Sequence, residues 1–437
     1  MSASASEVTS GPPPESVARR HQPLHAAPGR MRVGLLGCGR VGEAIVALAR
    51  EQAQQAGEVE LEFTAALVRD VSRRRAHGLP PVCASAEEFF AAAPDLVIEV
   101  IGGVEPAGSL VAEALARQIP VVTANKTLMA ERGGELRALA RANGVALAFD
   151  AAVVAGVPCL GALARRPSLR APRAVTGILN GTTHYILHAL ASGGSFADAL
   201  RQAQARGYAE ADSTADISGQ DAASKLAIVL QLAGPGGVTR LDFPTLGIDV
   251  ITADDVQAAR AAGGVLKPIA LAVLDPERPG AWVGPAFVDG THPAARSASV
   301  FNFLQLQYTN SIPITFSGPG AGARETAATV LDDVAEIAGG RPADVPVSSG
   351  PVRPEQLRQP PPGPWFIRTE GDVGPAALAE LLALYHVPPL RTVRASGGAA
   401  AVTAGAEWAH VLGAAEVLRA TGARVLTLPA IGGPDGE

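Results

Sequence analysis

The sequence is poor in aromatic residues and in cysteine. Aromatic residues make up 4% of its 437 residues, so we expect cores built from small and branched aliphatic side chains. The three cysteines, Cys38, Cys83 and Cys159, are far apart and odd in number, a pattern that provides neither a disulfide framework nor a metal cluster. This cysteine usage fits a reduced, cytoplasmic compartment.

The chain also lacks an excess of positive charge and any long apolar run. Its net charge is −6 and no domain-sized region is basic, which argues against nucleic acid as a partner. No uninterrupted apolar stretch approaches the length that spans a bilayer, so no membrane partner is expected. Residues 1–30 are rich in serine and proline and contain no apolar segment of the secretory type. We interpret them as a disordered extension.

What the sequence does contain is enough apolar material for two or three domains. From Met31 to about residue 150, continuous apolar strands such as "MRVGLLG" and "DLVIEVIGG" alternate with helical patterns. This alternation is typical of a parallel sheet covered by helices on both faces. We therefore predict an α/β fold whose first domain, residues 31–150, is a doubly wound, Rossmann-type parallel sheet.

The sequence pattern changes after this first domain. Residues 151–340 combine strand–turn–helix units with strands of a mixed sheet, such as "KPIALAVLD" and "IPITFSG", and predict an α+β domain. A proline-rich linker follows over residues 341–364. Residues 365–437 have the order βαββαβ, which predicts a small ferredoxin-like module.

A glycine-rich turn follows the first predicted strand. In "GLLGCGRVG" the glycines have the G-x-G-x-x-G spacing, between an apolar strand and a helix. They permit a tight turn and let backbone amides approach a pyrophosphate at the helix N-terminus, although a purely structural turn would contain the same glycines. We predict a dinucleotide site at this turn and at the end of the strand in "DLVIEV". The residues assigned to the site are Gly37, Gly39, Arg40, Val41, Gly42, Ile101 and Gly102.

The end of the second predicted strand bears on the choice of cofactor. NAD sites usually place a carboxylate there for the ribose 2′-hydroxyl, whereas this chain has Arg69, then Asp70, then Arg73 and Arg74. Guanidinium groups suit a 2′-phosphate through bidentate contacts. We predict NADP as the cofactor. Asp70 keeps NAD open, and a solvated basic loop is the structural alternative.

The stretch "GYAEADSTADISGQDAASK", residues 207–225, is dense in acids and ends on a lysine. Asp221 and Lys225 are four residues apart and therefore lie on one face of a helix. Such a pair is most often a surface ion pair. Here the apolar run "LAIVL" follows Lys225 directly, and desolvation lowers the pKa of a lysine in such a setting while a carboxylate holds it in place. These are the properties of a proton donor to a developing alkoxide.

Two other segments have features of a ligand site. "TANKTLM" places Lys126 at the end of a parallel strand, where open α/β sheets bind ligands. "ILNGTTHYI" places Asn180, Gly181, Thr182 and Thr183 at a strand-to-helix turn, whose amides and hydroxyls suit a carboxylate. Either segment could instead be a simple cap or turn.

Together these motifs resemble those of the homoserine dehydrogenases. The resemblance rests on "GLLGCGRVG", "TANKTLMA", "GILNGTTHYIL", the acidic stretch and "SGPGAGARETA", in the family's order over roughly residues 31–340. The C-terminal module resembles an ACT domain, which many members of the family carry.

The resemblance implies a reversible, NAD(P)-dependent interconversion of L-aspartate 4-semialdehyde and L-homoserine, on the route to threonine and methionine. It implies that Lys225 is the proton donor, that Asp221 assists it, and that Lys126 lies between cofactor and substrate. The substrate-binding residues that it implies are Asn180, Gly181, Thr182, Thr183, Tyr208, Glu210 and Asp216.

The same resemblance bears on the cofactor loop, ions, effectors and assembly. Gly318, Gly320 and Gly322 resemble a glycine loop that closes over the cofactor. The segment "DAAVVAGVP" corresponds to one that holds sodium in the family. The ligands implied there are Asp150 and the carbonyls of Val153, Ala155 and Val157. A homodimer or homotetramer is implied, through the sheet of the middle domain. For the ACT-like module, threonine binding and a structural or dimerising role are both open.

Two other functions remain as alternatives. One is a related NADP-dependent amino-acid dehydrogenase acting on another aldehyde or imine, against which the "NGTT" and lysine segments argue. The other is a non-catalytic amino-acid sensor built around the C-terminal module, against which the intact Lys126, Asp221 and Lys225 argue.

Overall fold

The computed structural model describes residues 30–53, 59–73, 78–169, 171–297, 300–309, 312–340 and 351–432. The predicted N-terminal extension, up to residue 29, and residues 341–350 of the predicted linker lie outside this description. Within the described ranges, no helix combines the length and the apolar character needed to cross a membrane.

The first part of the chain forms a sheet of six parallel strands in the order β3-β2-β1-β4-β5-β6. The strands are β1 (Arg30–Leu36), β2 (Glu60–Leu67), β3 (Val82–Cys83), β4 (Leu96–Glu99), β5 (Val121–Thr123) and β6 (Leu147–Ala148). The helices between them are α1 (Arg40–Gln52), α2 (Ala86–Ala91), α3 (Ala107–Ala116) and α4 (Lys126–Asn143). The predicted Rossmann-type sheet is confirmed, and its strand order reverses between β1 and β4, where such sheets bind ligands.

These strands are continuously apolar because both faces of the sheet are covered. Leu35 and Ile98 belong to a core that includes α1 and a later helix, α11 (Ala323–Ala338). Leu36 and Val97 belong to a second core on the opposite face, which includes α3 and α4. The chain thus returns after residue 320 to complete the covering of the first sheet.

The middle part contains a second, antiparallel sheet in the order β11-β10-β7-β8-β9. Its strands are β7 (Ala174–Ile178), β8 (Gly264–Val273), β9 (Gly280–Asp289), β10 (Phe301–Gln307) and β11 (Ile314–Pro319). Its helices are α5 (Cys159–Arg165), α6 (Gly181–Leu190), α7 (Phe196–Ala205), α8 (Thr214–Ile217), α9 (Gln220–Ala233) and α10 (Ala253–Ala261). The sequence analysis did not anticipate α10, whose apolar face is short.

The C-terminal part follows the predicted order βαββαβ. Its elements are β12 (Trp365–Glu370), α12 (Pro375–Leu384), β13 (Pro389–Ala395), β14 (Gly398–Thr403), α13 (Trp408–Ala420) and β15 (Arg424–Ile431). The strands lie in the order β15-β12-β14-β13.

The second and third parts share one sheet of nine strands. Strand β15 runs parallel to β9, with Ala430 opposite Phe287 and Ile431 opposite Val288. The ring of Phe366 on β12 stacks on that of Phe287, with 5.3 Å between the ring centroids. The C-terminal module is therefore built onto the middle sheet, which its sequence alone did not indicate.

Candidate active site

The glycine-rich turn between β1 and α1 is shaped for a ligand. A side chain at Gly37, whose φ is 102°, would approach the carbonyl of Val100 to 2.9 Å, and one at Gly42 would approach the carbonyl of Gly37 to 2.8 Å. A side chain at Gly39 would meet nothing within 4 Å. The first and third glycines thus permit close packing, whereas the second leaves open space above the N-terminus of α1, which Arg40 and Val41 begin. This division of roles fits a pyrophosphate site.

The basic residues after β2 lie beside this turn, because β2 is the neighbour of β1. Arg69, Asp70 and Arg73 are exposed. The Asp70 carboxylate accepts hydrogen bonds from the backbone N–H of Ser72 at 2.9 Å and from its hydroxyl at 2.6 Å. Arg74 lies outside the described residues.

Glu99, at the end of β4, is fully buried and was missed by the sequence analysis. Its carboxylate accepts hydrogen bonds from the N–H of Ile101 at 2.8 Å, from the N–H of Gly102 at 3.3 Å and from the Thr123 hydroxyl at 2.5 Å. Burial raises the pKa of Glu99, and these hydrogen bonds oppose that rise. Glu99 thereby holds Ile101 and Gly102, the two predicted cofactor-binding residues of the loop after β4, in place.

Asn125 connects this loop to the next helix. Its Nδ2 donates to Glu99 at 3.3 Å and to the carbonyl of Gly103 at 2.7 Å, while its Oδ1 accepts from the N–H of Leu128 at 3.1 Å. Asn125 is the N-cap of α4. Lys126 is thus the first residue of α4, three positions beyond the end of β5 at Thr123.

A buried carboxylate joins two of the predicted catalytic residues. Asp221, which is 4% exposed, lies in the first turn of α9. One of its oxygens pairs with Nζ of Lys126, and the other lies 2.9 Å from Nζ of Lys225. Lys225 also donates to the carbonyl of Leu179 at 2.7 Å. The structure therefore brings Lys126, which is distant in sequence, together with Asp221 and Lys225, which lie one helical turn apart on α9.

Electrostatics keep Asp221 and Lys126 charged. Burial raises the pKa of Asp221, but the charges of Lys225 and Lys126 and a hydrogen bond from Asn180 outweigh burial and hold that pKa well below its usual range. Burial also lowers the pKa of Lys126, but its pairing with Asp221 outweighs this effect and the net pKa is raised. Asp221 is consequently an anion and Lys126 a cation at neutral pH.

The "NGTT" turn closes one side of the cluster. Asn180 is the N-cap of α6 and accepts a hydrogen bond from the N–H of Thr183 at 2.9 Å. Its Nδ2 donates to Asp221 at 2.8 Å and to Asp216 at 2.7 Å. The Thr182 hydroxyl donates to the carbonyl of Tyr208 at 2.6 Å. The turn thus links α6, the acidic stretch and α9, and Gly181 begins α6 between these groups.

The other acids of the stretch are more open. Glu210 is exposed, and Tyr208 is 44% exposed with its ring against that of Tyr185. The charges of Asp216 and Glu210 both act on Lys126, after the larger effects of burial and of Asp221. Both carboxylates therefore lie near the ammonium of Lys126.

The end of β11 and the loop after it pack against Asn302 and Val157. A side chain at Gly320 would collide with the carboxamide of Asn302, and one at Gly318 would lie 2.9 Å from Val157. Gly322, with φ of 140°, precedes α11. Asn302, which is 1% exposed, donates a hydrogen bond from Nδ2 to the Leu179 carbonyl at 3.3 Å. This carbonyl therefore accepts hydrogen bonds from both Asn302 and Lys225. The sequence analysis missed Asn302.

The segment predicted to hold sodium is a buried turn. The Asp150 carboxylate accepts hydrogen bonds from the N–H of Leu160 at 2.9 Å and of Gly161 at 2.8 Å, at the start of α5. The carbonyl of Ala155 accepts the Thr329 hydroxyl, the carbonyl of Val157 accepts the N–H of Cys159 at 2.7 Å, and Val153 is buried beside them. The described ranges contain no group of three or more His, Cys, Asp or Glu side chains that could hold a metal ion.

Comparisons with known proteins agree with this geometry. A family model described as homoserine dehydrogenase matches residues 158–335, and one described as its NAD binding domain matches residues 37–150. The homoserine dehydrogenase of Synechocystis sp. is 36% identical over 318 residues, which cover 71% of this chain and 73% of that protein. That of Corynebacterium glutamicum is 38% identical over 314 residues, which cover 69% of this chain and 70% of that protein.

Solved structures give the same result over a longer range. A homoserine dehydrogenase from Thiobacillus denitrificans superposes with a TM-score of 0.80 at 29% identity, covering 92% of this chain and 98% of that chain. A hyperthermophilic archaeal homoserine dehydrogenase in complex with NADPH, 24% identical with a TM-score of 0.61, covers 72% of this chain and 99% of that chain, and it supports the fold alone. On these grounds, the chain belongs to the homoserine dehydrogenase family.

Proposed function

We propose that this chain interconverts L-homoserine and L-aspartate 4-semialdehyde with NADP, and that Lys225 exchanges the proton at the reacting oxygen. The observation that supports this most directly is the pairing of one buried carboxylate, Asp221, with two lysine side chains beside the "NGTT" turn. A bound nicotinamide cofactor would supply or accept the hydride.

The side chain of Lys225 is suited to this role. An ammonium group has three N–H donors. One of them donates to the Leu179 carbonyl, and the ion-pair partner Asp221 lies 2.9 Å away. A donor remains for the substrate oxygen. Asp221 holds both lysines, and Lys126 brings a second positive charge to the place where negative charge develops on that oxygen.

The polar groups around the cluster suit the amino-acid end of the substrate. Glu210 and Asp216 provide negative charge for an ammonium group, while the start of α6, with Gly181, Thr182 and Thr183, provides amides and hydroxyls for a carboxylate. Tyr208, which is partly exposed, lies between these two groups in sequence. Its backbone carbonyl accepts a hydrogen bond from the Thr182 hydroxyl.

Cofactor preference follows from the residues after β2. Arg69 and Arg73 are exposed beside the glycine-rich turn, and Asp70 is occupied by hydrogen bonds from Ser72. This occupation of the carboxylate supports a 2′-phosphate, hence NADP, over a bare ribose. Gly37, Gly39 and Gly42 fit the pyrophosphate, and Gly318, Gly320 and Gly322 are proposed to close over the cofactor from the other side.

Further proposals concern sodium, threonine, assembly and location. The carbonyls of Val153, Ala155 and Val157 are proposed as sodium ligands with Asp150, since a carbonyl that accepts one hydrogen bond retains a second lone pair.

Threonine is proposed to bind near Pro375, where α12 begins. A homodimer through the edge strand β11 is supported by Ile312, Ile314 and Phe301, which are 87%, 38% and 42% exposed. No disulfide joins the three cysteines, which are all described, and we propose a cytoplasmic location.

The experiment that tests the proposed function is steady-state oxidation of L-homoserine with NADP and with NAD, each with and without threonine. Homoserine-dependent reduction of NADP, at a higher kcat/KM than that of NAD, is expected. Turnover of another hydroxy amino acid in place of homoserine would contradict the assignment. An equal kcat/KM with NADP and with NAD would contradict only the preference for NADP and not the assignment of the reaction.

A further inference from the structure

Lysine is scarce in this protein. The 437 residues include only three lysines, Lys126, Lys225 and Lys267, whereas the other thirty-three basic residues counted with them are arginines. A guanidinium is planar, broad and always charged, whereas an ammonium is a compact point charge that fits a small polar site. Two of the three lysines pair with Asp221 in the candidate active site. The third, Lys267, has no place in the proposed mechanism.

Lys267 lies in β8 and is 6% exposed. Its Nζ is 2.8 Å from Nε2 of His184 and donates to the carbonyl of Ser297 at 3.2 Å. Among the described residues no carboxylate forms an ion pair with it, and burial lowers its pKa to about 8. A buried ammonium without a carboxylate partner is costly to fold, so its presence calls for a reason beyond stability.

The direction of the contact between Lys267 and His184 is fixed by a third group. Nδ1 of His184 lies 3.1 Å from the carbonyl of Phe301, and a carbonyl can only accept. Nδ1 therefore carries the proton of the neutral imidazole, and Nε2 accepts from Lys267. The Phe301 carbonyl thus fixes the tautomer, and Lys267 holds the ring at its other nitrogen, so that the ring is kept against the carbonyl of Phe301.

This chain of contacts leads to Lys225. The residue after Phe301 is Asn302, whose Nδ2 donates to the Leu179 carbonyl at 3.3 Å. The same carbonyl accepts from Lys225 at 2.7 Å. His184 is also in the first turns of α6, and its N–H donates to the carbonyl of Asn180 at 3.2 Å. Through His184, Lys267 is therefore connected both to the "NGTT" turn and to the Leu179 carbonyl, which accepts a hydrogen bond from Lys225.

We propose that Lys267 is a positioning residue which, through His184, fixes the start of β10 and the Leu179 carbonyl so that Lys225 is aimed at the substrate oxygen. The proposal rests on the proposed function, in which Lys225 exchanges the proton. Misplacement of a catalytic group by about 1 Å can lower a rate on the order of 100-fold. The Nζ of Lys267 contacts His184 and the carbonyl of Ser297, neither of which is assigned to the cofactor site, so its loss is expected to affect turnover rather than cofactor binding.

The first test compares Lys267→Met, which keeps the length of the side chain, with Arg260→Met. Arg260 is a matched control because its guanidinium donates to the carbonyl of Ala191 at 2.6 Å, at the opposite end of α6. Lys267→Met is expected to lower kcat by about 10- to 100-fold and to leave the Kd for NADPH, measured by fluorescence, within about threefold of wild type. Arg260→Met is expected to change neither. A kcat of Lys267→Met within twofold of the control overturns the proposal.

The second test does not depend on activity. Selective labelling of lysine with carbon-13 at Cε gives one resonance for each of the three lysines, and each is assigned by substitution. Lys267→Met is expected to shift the resonance of Lys225, whereas Arg260→Met is not. An unmoved Lys225 resonance overturns the proposal. If wild-type protein does not oxidise homoserine, the proposed function fails and this spectrum alone decides the role of Lys267.

A double-mutant cycle separates positioning from a general loss of stability. Lys267→Met and Asn302→Ala are expected to be strongly non-additive in their effects on kcat, because both act on the same carbonyl. Additive effects overturn the proposal. If Lys267→Met does not fold, as judged by thermal unfolding, His184→Phe takes its place in all three measurements with the same expected results, because it keeps a ring but removes the relay.

Discussion

Arg368 on β12 and Asp255 on α10 form an ion pair of 2.7 Å in which both side chains are fully buried. The second oxygen of Asp255 lies 2.9 Å from Arg424 on β15. Asp255 also closes the capping box of α10 with Thr252. One carboxylate therefore anchors two strands of the C-terminal part to a helix of the middle part.

Loss of Asp255 is expected to destabilise the protein strongly. Asp255→Ala removes the fully buried partner of Arg368 and leaves it only the partly exposed Glu370, and loss of a buried partner costs about 3–5 kcal/mol in comparable cases. The free energy of unfolding from urea titration measures this loss. The exposed neighbour Asp254 is the matched control, and Asp254→Ala is expected to stay within about 0.5 kcal/mol of wild type. Equal free energies of unfolding for Asp255→Ala and Asp254→Ala would show that the buried ion pair contributes nothing to stability.

Removal of the Lys225 ammonium is expected to abolish most turnover. Lys225→Met keeps an unbranched side chain next to Leu226 but has no proton to exchange, so kcat should fall by about 100- to 10,000-fold. Affinity for NADPH should remain within about threefold, since the cofactor turn lies on α1. The adjacent Ser224, whose hydroxyl donates to the carbonyl of Gln220, supplies the control variant Ser224→Ala. Near-normal turnover of Lys225→Met would refute its role in proton exchange.

Stability is expected to decrease in acid through His184. Burial, together with the charge of Lys267, lowers the pKa of His184 from 6.5 to about 3. Because the pKa is lower in the folded state, the unfolded chain binds the proton first. The contribution is therefore complete above pH 6.5 and is lost as the pH falls towards 3.

This dependence can be isolated with His184→Phe. The free energy of unfolding of wild type minus that of the variant should decrease by about 2 kcal/mol between pH 6.5 and 4.5. Urea titrations at several pH values measure this difference. A difference that does not change over this interval would mean that His184 is protonated as readily in the folded protein as in the unfolded chain.

Asn125 is expected to have two separable roles. Asn125→Ser keeps a good N-cap for α4 but cannot reach Glu99 and Gly103, whereas Asn125→Ala loses the cap as well. The alanine variant should therefore be less stable than the serine variant by about 1 kcal/mol. Both variants should bind NADPH more weakly than wild type, because the loop with Ile101 and Gly102 loses the same support. Unchanged Kd values in fluorescence titrations would remove Asn125 from the cofactor site.

Local patterns made part of this structure predictable. The strand, glycine turn and helix around Gly39 are contiguous in sequence, so spacing alone indicated a dinucleotide turn. Asp221 and Lys225 are one helical turn apart, and the helix brings them together whatever the rest of the fold does. The alternation of apolar strands and helices likewise indicated a parallel sheet covered by helices on both faces.

The remainder depends on contacts between distant segments. Glu99 and Asn125 meet only because β4 and β5 are neighbours, and nothing in their local sequence indicates a shared carboxylate. Lys267 lies in an apolar strand, where a lysine suggests an edge rather than a relay to His184. At the junction of β9 with β15 the strands pair through their backbones at Ala430 and Ile431, and backbone pairing of this kind has no side-chain pattern that would reveal it in the sequence.

The same junction has a consequence for biosynthesis. Until residues 424–431 have been made, the part of β9 that pairs with β15, at Phe287 and Val288, has an unpaired edge. An open edge of this kind can pair with other chains. We expect this part of the middle sheet to remain vulnerable to aggregation during translation until β15 has emerged from the ribosome.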